Sequence, residues 1–291
     1  MTVAGSGSAA WLPEPSRADD TYANRGELVT DWLKRSTVPR ARKVRRFLNE
    51  NIAKVPQNHQ LVLYLALHER WHSAFSELIV ARTLELLGAY PSYGMLAEEG
   101  GEVAGEEDAR WVVDPLDGTT NYAHGLPLFS VSIALEKAGE VIVSVVYDPK
   151  GEEMFTAERP RGARLNEESI GVSDADELVR ALVVTGFPYD RDEVPAALEL
   201  FGRLSIRAQG MRRLGSAALD LCYVAAGRLD AYYESGIHAW DIAAAGLILE
   251  EAGGRITDYR GRPFEMEGGE MVASNGPLHP ALIELADEFA G

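Results

Sequence analysis

Apolar and polar positions divide the 291-residue chain into short elements. Gln60 to Leu87 has Leu61, Leu63, Leu65, Trp71, Phe75, Ile79 and Leu86 as apolar markers, an amphipathic pattern that predicts helix. Gly26 to Lys54 also reads as helix, broken near Pro39. Trp111, Val112 and Val113 predict the end of a buried strand. Ser130 to Leu135 and Val141 to Tyr147 alternate or run apolar on either side of Gly139, which predicts an antiparallel hairpin, and Met154 to Ala157 adds a strand. Further strands are expected at Leu182 to Thr185, Met211 to Leu214, Asp230 to Tyr233, Gly254 to Thr257 and Met271 to Ser274. Ala217 to Gly227 is Ala-rich and apolar, which predicts a buried helix. Trp240 and Asp241 precede IAAAGLILEEAGG, a helix stopped by its glycine pair, and Pro277 to Phe289 predicts a closing helix. Residues 1–24 read as a loose terminus. Hairpins early and strand–helix alternation late predict an α/β or α+β layered protein rather than a repeat.

Charge narrows the class. The formal net charge is −17, which argues against general affinity for nucleic acid or an anionic membrane. The one basic stretch, Arg40, Arg42, Lys43, Arg45, Arg46 and Lys54, reads as a solvated helix face, with an anion or partner site as the alternative. The single cysteine, Cys222, excludes an internal disulfide and a cysteine-based metal cluster, and its apolar neighbours predict a buried thiol. No apolar run approaches membrane-spanning length, and MTVAGSGSAAW lacks the basic-then-apolar form of a signal peptide, so the cytoplasm is expected. His68, Glu69 and His72 spell the zinc pattern HExxH, yet no third ligand is identifiable, so the stretch reads as an ordinary helix face.

Candidate chemistry concentrates in Trp111 to Tyr122, WVVDPLDGTTNY. Asp114 and Asp117 bracket Pro115 and Leu116 and are followed by Gly118, which predicts a tight turn. Two carboxylates and the Leu116 carbonyl make an all-oxygen site suited to a hard cation such as Mg²⁺. Gly118, Thr119 and Thr120 offer N–H groups and hydroxyls to a phosphate. The plainer alternative makes Asp114 and Asp117 Asx-turn residues and Thr119 a helix cap. Two further acids, Glu98 and Glu99, follow the short apolar run in GMLAEEGG, and Asp241 opens a helix, where an N-cap is the ordinary role.

LAEEG, DPLDGTTN, GSAALDLCYVAAGRLDAYYE and HAWDIAAAG together resemble the inositol monophosphatase family of Mg²⁺-dependent, lithium-sensitive phosphatases. The resemblance runs from about Ser76 to the C-terminus and implies the αβαβα sandwich shared with fructose-1,6-bisphosphatase. It implies that Glu98, Asp114 and the Leu116 carbonyl hold one Mg²⁺, that Asp114, Asp117 and Asp241 hold a second, and that Glu98 faces a third through water. Glu98, Asp114 and Thr119 would be catalytic. Gly118, Thr119 and Thr120 would cradle phosphate, and Gly215, Ser216, Ala217, Glu234 and Asp241 would meet the rest of the substrate. The implied activity is hydrolysis of a small polyol phosphate, inositol monophosphate first, with histidinol phosphate or another sugar phosphate as the alternative. A homodimer is expected, in the cytoplasm by default, with no membrane partner and with nucleic acid disfavoured by the charge. On this reading residues 73–160 form the metal-bearing half and 161–291 the substrate half, while residues 1–72, expected to be helical, lie outside the resemblance.

The chain departs from the family at one place. The family carries VTxxDxxxE before the LAEEG loop, and its Asp pairs with the threonine matching Thr119 to orient water. Here Ser76 and Glu77 fit the end of that motif, and Ser73 stands at the Asp position. A similar fragment upstream, LVTDWLKRST, has Leu33 and Thr37 at the two acidic positions. Glu77, Glu69 and Asp31 are the candidates for a replacement acid. A catalytically weakened member with a binding or regulatory role is therefore a third reading.

Overall fold

The computed structural model describes residues 90, 92–98, 101–266 and 269–290. The basic stretch, the HERWH segment expected to be helical, Ser73 and its neighbouring acids lie outside them.

Two sheets organise these residues. The larger is built from β1 (Gly94–Ala97), β2 (Gly101–Val103), β3 (Ala109–Asp117), β4 (Ser130–Lys137), β5 (Glu140–Asp148), β6 (Glu153–Glu158), β7 (Ala163–Leu165) and β8 (Glu168–Ser169), in the order β2-β1-β3-β4-β5-β6-β7-β8. Its pairs are antiparallel except β1 with β3. The expected β4–β5 hairpin forms, and Ala138 and Gly139 at its tip both take positive φ, the backbone that lets a two-residue turn follow the strand twist.

The smaller sheet holds β9 (Leu182–Thr185), β10 (Gly210–Arg212), β11 (Ala231–Ser235), β12 (Arg255–Thr257) and β13 (Glu270–Ser274), in the order β10-β9-β11-β13-β12. Strand alternation divides its side chains between two cores. Val184, Tyr232, Met271 and Ala273 face one core, and Val183, Ala231, Tyr233 and Val272 face the other.

Helices α1 (Thr119–Ala123), α2 (Val194–Ser205), α3 (Ala217–Ala225), α4 (Ala239–Glu251) and α5 (His279–Ala286) complete the set. α3 and α4 pack on each other between the sheets, touching β4 and β5 of the larger one. A helix in a middle layer has no polar face, which explains why Ala243, Ala244, Ala245, Leu247, Ile248 and Leu249 are all buried. α2 and α5 cover the far face of the smaller sheet through Leu200, Leu204, Leu282 and Leu285. The described residues thus stack as sheet, helices, sheet, helices, four of the five layers of the expected αβαβα order. Cys222 is buried in the first core, as its neighbours predict. Among the described residues no helix is long and apolar enough to cross a membrane.

Candidate metal and phosphate site

The DPLD stretch is strand, not the tight turn expected from its proline and glycine. β3 pairs with β4 through Asp114 opposite Ser132 and Asp117 opposite Ser130, with a register shift between them. Pro115 and Leu116 thus face only Val131, a bulge of the kind that re-aims side chains beside active sites. Pro115 suits it because it has no N–H to lose from the ladder. The Asx turn of the plainer alternative is also present: Leu116 N–H donates to Asp114 Oδ1 at 2.8 Å. Gly118 has φ of 85°, and a Cβ there would stand 2.9 Å from the Leu128 carbonyl oxygen and 3.2 Å from that of Gly215. Glycine therefore serves both the left-handed turn and the close approach of the 118 and 215 loops. Asn121 ties those loops together, since its Nδ2 donates to Leu128 O at 2.8 Å and to Leu214 O at 2.7 Å.

Asp117 is only 6% exposed and accepts four hydrogen bonds. Ser130 Oγ and Ala218 N–H reach Oδ2 at 3.1 Å each, Ala217 N–H reaches Oδ1 at 3.1 Å, and Ser216 Oγ also donates to Oδ2. Ala217 and Ala218 are the first residues of α3, so this carboxylate caps that helix from a hundred residues away. The Ser216 hydroxyl, at the ordinary capping position, is turned to the carboxylate instead.

The remaining acids converge by topology. Ala97 pairs with Val113, and the Glu98 N–H donates to the Val113 carbonyl at 3.4 Å, so Glu98 leaves β1 alongside Asp114. Ser132, opposite Asp114, donates to the Trp240 carbonyl at 3.4 Å and brings the start of α4 to the same place. Asp241 lies within the first turn of α4 rather than before it, and its Oδ2 accepts the His238 N–H at 2.9 Å. Glu234, on β11, accepts the Tyr232 hydroxyl at 2.6 Å. Thr119 and Thr120 are exposed at the start of α1, and Thr119 Oγ1 donates to the Leu116 carbonyl at 2.9 Å.

Electrostatics records this crowding. Burial, then Asp117, Glu98 and Asp241, hold Asp114 well above the usual carboxylate range. Burial raises Asp117 despite its four donors. Burial pushes Asp241 up to about 7 against the His238 N–H, with Asp117, Glu98 and Glu234 adding to the rise. Glu234 also rises to about 7 by burial, which the Tyr232 hydroxyl and the Arg213 charge oppose.

The set is gathered but not closed. Among the described residues no three His, Cys, Asp or Glu side chains stand ready around a metal ion. The reason is local: Asp114 turns to its own Leu116 N–H, Asp117 to α3 and Asp241 to His238. The donor chemistry nevertheless fits Mg²⁺, being all oxygen and mutually repelling. Capacity remains as well, because Oδ1 of Asp117 accepts one of the four bonds and a carboxylate oxygen can accept two. The sequence pattern does not give roles to Asn121, Ser130 or Tyr232; Asn121 lies inside the WVVDPLDGTTNY motif with nothing to mark it as a clamp.

Residues 67–289 match the Inositol monophosphatase family. An inositol-1-monophosphatase of Mesorhizobium japonicum is 46% identical over 202 residues, covering 69% of this chain and 76% of that protein. A protein named Nus factor SuhB from Xylella fastidiosa is 49% identical over 208 residues, 69% of this chain and 75% of its own. The solved inositol monophosphatase of Anabaena superposes with a TM-score of 0.70 at 38% identity, covering 84% of this chain and 97% of that one. With the family spanning most of the chain, and the layered α/β fold in agreement, this protein belongs to the inositol monophosphatase family.

Proposed function

We propose that the chain is a Mg²⁺-dependent phosphomonoesterase of small polyol phosphates, inositol monophosphate first. One observation carries this reading: Asp114, 1% exposed, is pressed by Asp117, Glu98 and Asp241. Buried carboxylates so placed call for a cation. Glu98, Asp114, the Leu116 carbonyl, Asp117 and Asp241 would hold Mg²⁺. Bound there, Mg²⁺ supplies an acidified water and charge neutralisation at phosphate.

The chain's own groups do the rest. The Gly118–Thr120 turn offers its N–H groups and the Thr120 hydroxyl to phosphate oxygens. The Thr119 hydroxyl donates its hydrogen bond to the Leu116 carbonyl, which leaves the lone pairs of the hydroxyl oxygen free to accept from another donor. Asp117 fixes the 215–217 turn against the same loop, and Gly215, Ser216 and Ala217 would meet the substrate from there. Glu234, steadied by Tyr232, accepts ring hydroxyls. We take residues 73–160 as the metal-bearing half and 161–291 as the substrate half of a cytoplasmic homodimer that is inhibited by lithium.

Phosphate release from inositol monophosphate, histidinol phosphate and glycerol phosphate, each with Mg²⁺ or chelator, tests the reading. Fastest release from histidinol phosphate moves the substrate to that alternative, and release from none of them defeats it. A second reading rests on Ser73 at the water-orienting Asp position and on relatives named Nus factor SuhB: a weakened enzyme with a binding role.

A further inference from the structure

Gly186 follows β9 directly and is buried. Its φ is not positive, unlike those of Gly118 and Gly215, so the backbone does not demand glycine there. Space does. A Cβ on Gly186 would stand 2.0 Å from Oε1, 2.1 Å from Cδ and 2.1 Å from Oε2 of Glu234, overlapping the whole carboxylate. Resting on the phosphatase reading above, we propose that Gly186 is the specificity-determining position of the site: the gap left by its missing side chain is the slot that sets the Glu234 carboxylate toward hydroxyl-bearing substrates.

The slot has fixed walls. Thr185 Oγ1 lies 2.9 Å from the Gly186 carbonyl and 2.6 Å from that of Tyr233, and Thr185 is 1% exposed, so the glycine peptide is pinned to β11. Tyr232, 0% exposed, holds Oε2 through its hydroxyl and cannot follow a retreating carboxylate. Arg213 draws Glu234 electrostatically, while Asp117 repels it. The carboxylate is the far end of a flexible side chain. An added methyl therefore displaces it more readily than it unfolds the sheet. Gly186 acts through Glu234 and is a positioning residue.

The experiment compares wild type, Gly186→Ala, Glu234→Gln and the double variant on inositol monophosphate and on p-nitrophenyl phosphate, which carries no hydroxyl for Glu234 to accept. Gly186→Ala is expected to lower kcat/KM for inositol monophosphate about 10–100-fold, the worth of a hydrogen bond to a charged group, chiefly through KM. The p-nitrophenyl phosphate rate should fall by less than about threefold, since nothing in that ester uses Glu234. In the double variant the two losses should not add, because both remove one contact. Equal losses on both esters, or full additivity, overturn the proposal.

A crystal structure of Gly186→Ala tests the slot independently of turnover. The carboxylate swung from residue 186 supports the slot, and the Tyr232 bond intact with Glu234 in place defeats it. If wild type hydrolyses neither ester, the phosphatase reading fails and this structure alone decides for Gly186. If Gly186→Ala does not fold, adding Glu234→Ala should restore folding by opening the space. A double variant that still does not fold refutes the steric account.

Discussion

Asp117→Ala tests the claim that one carboxylate both belongs to the site and caps α3. The change leaves four donors behind: the N–H groups of Ala217 and Ala218 and the hydroxyls of Ser130 and Ser216. The hydroxyls can turn to each other, since their oxygens are 3.5 Å apart. The two amides cannot turn, and they set the magnitude at about 1–2 kcal/mol each, as for a lost helix cap or an orphaned donor. Removing the charge also relieves Asp114 and ends the burial cost of Asp117, which keeps the sum toward its lower end. The expected loss is about 2–4 kcal/mol in chelator, or roughly 4–16 °C in Tm at about 2–4 °C per kcal/mol. Thermal unfolding followed by tryptophan fluorescence and by far-UV circular dichroism measures it, with the two probes checked for coincidence. Asp117→Asn, which keeps the shape and one oxygen, should fall between. If Asp117→Ala melts at or above the wild-type temperature in chelator, repulsion outweighs the four bonds and the cap across the chain is wrong.

Other buried groups and the missing acid lead to three more predictions. Asp220 is buried with Oδ1 unpartnered, and burial, then Asp117 and Glu234, hold it well above the usual carboxylate range; its unfolded form releases the proton above 3.8, so stability is lost as pH rises. The Tm of Asp220→Asn relative to wild type should therefore increase from about pH 4 to about pH 7, and a flat difference would contradict the buried neutral acid. His279 sits between Thr257 Oγ1 at 2.8 Å and Ser274 Oγ at 2.9 Å, and burial, helped by Arg255, lowers it from 6.5 to about 4. The unfolded chain protonates first, so stability should fall as pH drops from 6.5 to about 4, and His279→Gln should show a shallower fall in the same melts. Ser73→Asp should raise kcat by about 10²–10⁴-fold without changing Mg²⁺ affinity if Ser73 stands at the water-orienting position, and an unchanged kcat would mean that a substitute such as Glu77 or Glu69 serves or that Ser73 does not occupy that position.

Much of the fold is legible in the sequence because its signals are local. The β4–β5 hairpin announces itself by alternation around Gly139, and α3 and α4 by apolar residues on every side. The DPLD stretch misleads because Pro and Gly are turn formers in isolation, whereas pairing with β4 draws the stretch into a bulged strand. The pattern puts Asp241 at the very opening of its helix because His238 is not an ordinary cap, although its peptide N–H completes the first turn with the Asp241 side chain. The acids of the site are legible as motifs. Their partners are not: nothing near Asp117 in sequence signals α3, and GFPYD reads only as the end of a strand, with Gly186 marked by the space it leaves for Glu234.

Glu98, Asp114, Asp117 and Asp241 are proposed to serve Mg²⁺-dependent hydrolysis of a phosphate monoester. Phosphate release from inositol monophosphate, titrated with Mg²⁺ for wild type and a folded Asp114→Asn side by side, tests this role most directly. Wild type should release no phosphate in chelator and show a saturable rise with Mg²⁺, and Asp114→Asn should show no such rise. Undiminished release in chelator, or an Asp114→Asn protein with the wild-type response to Mg²⁺, would contradict it.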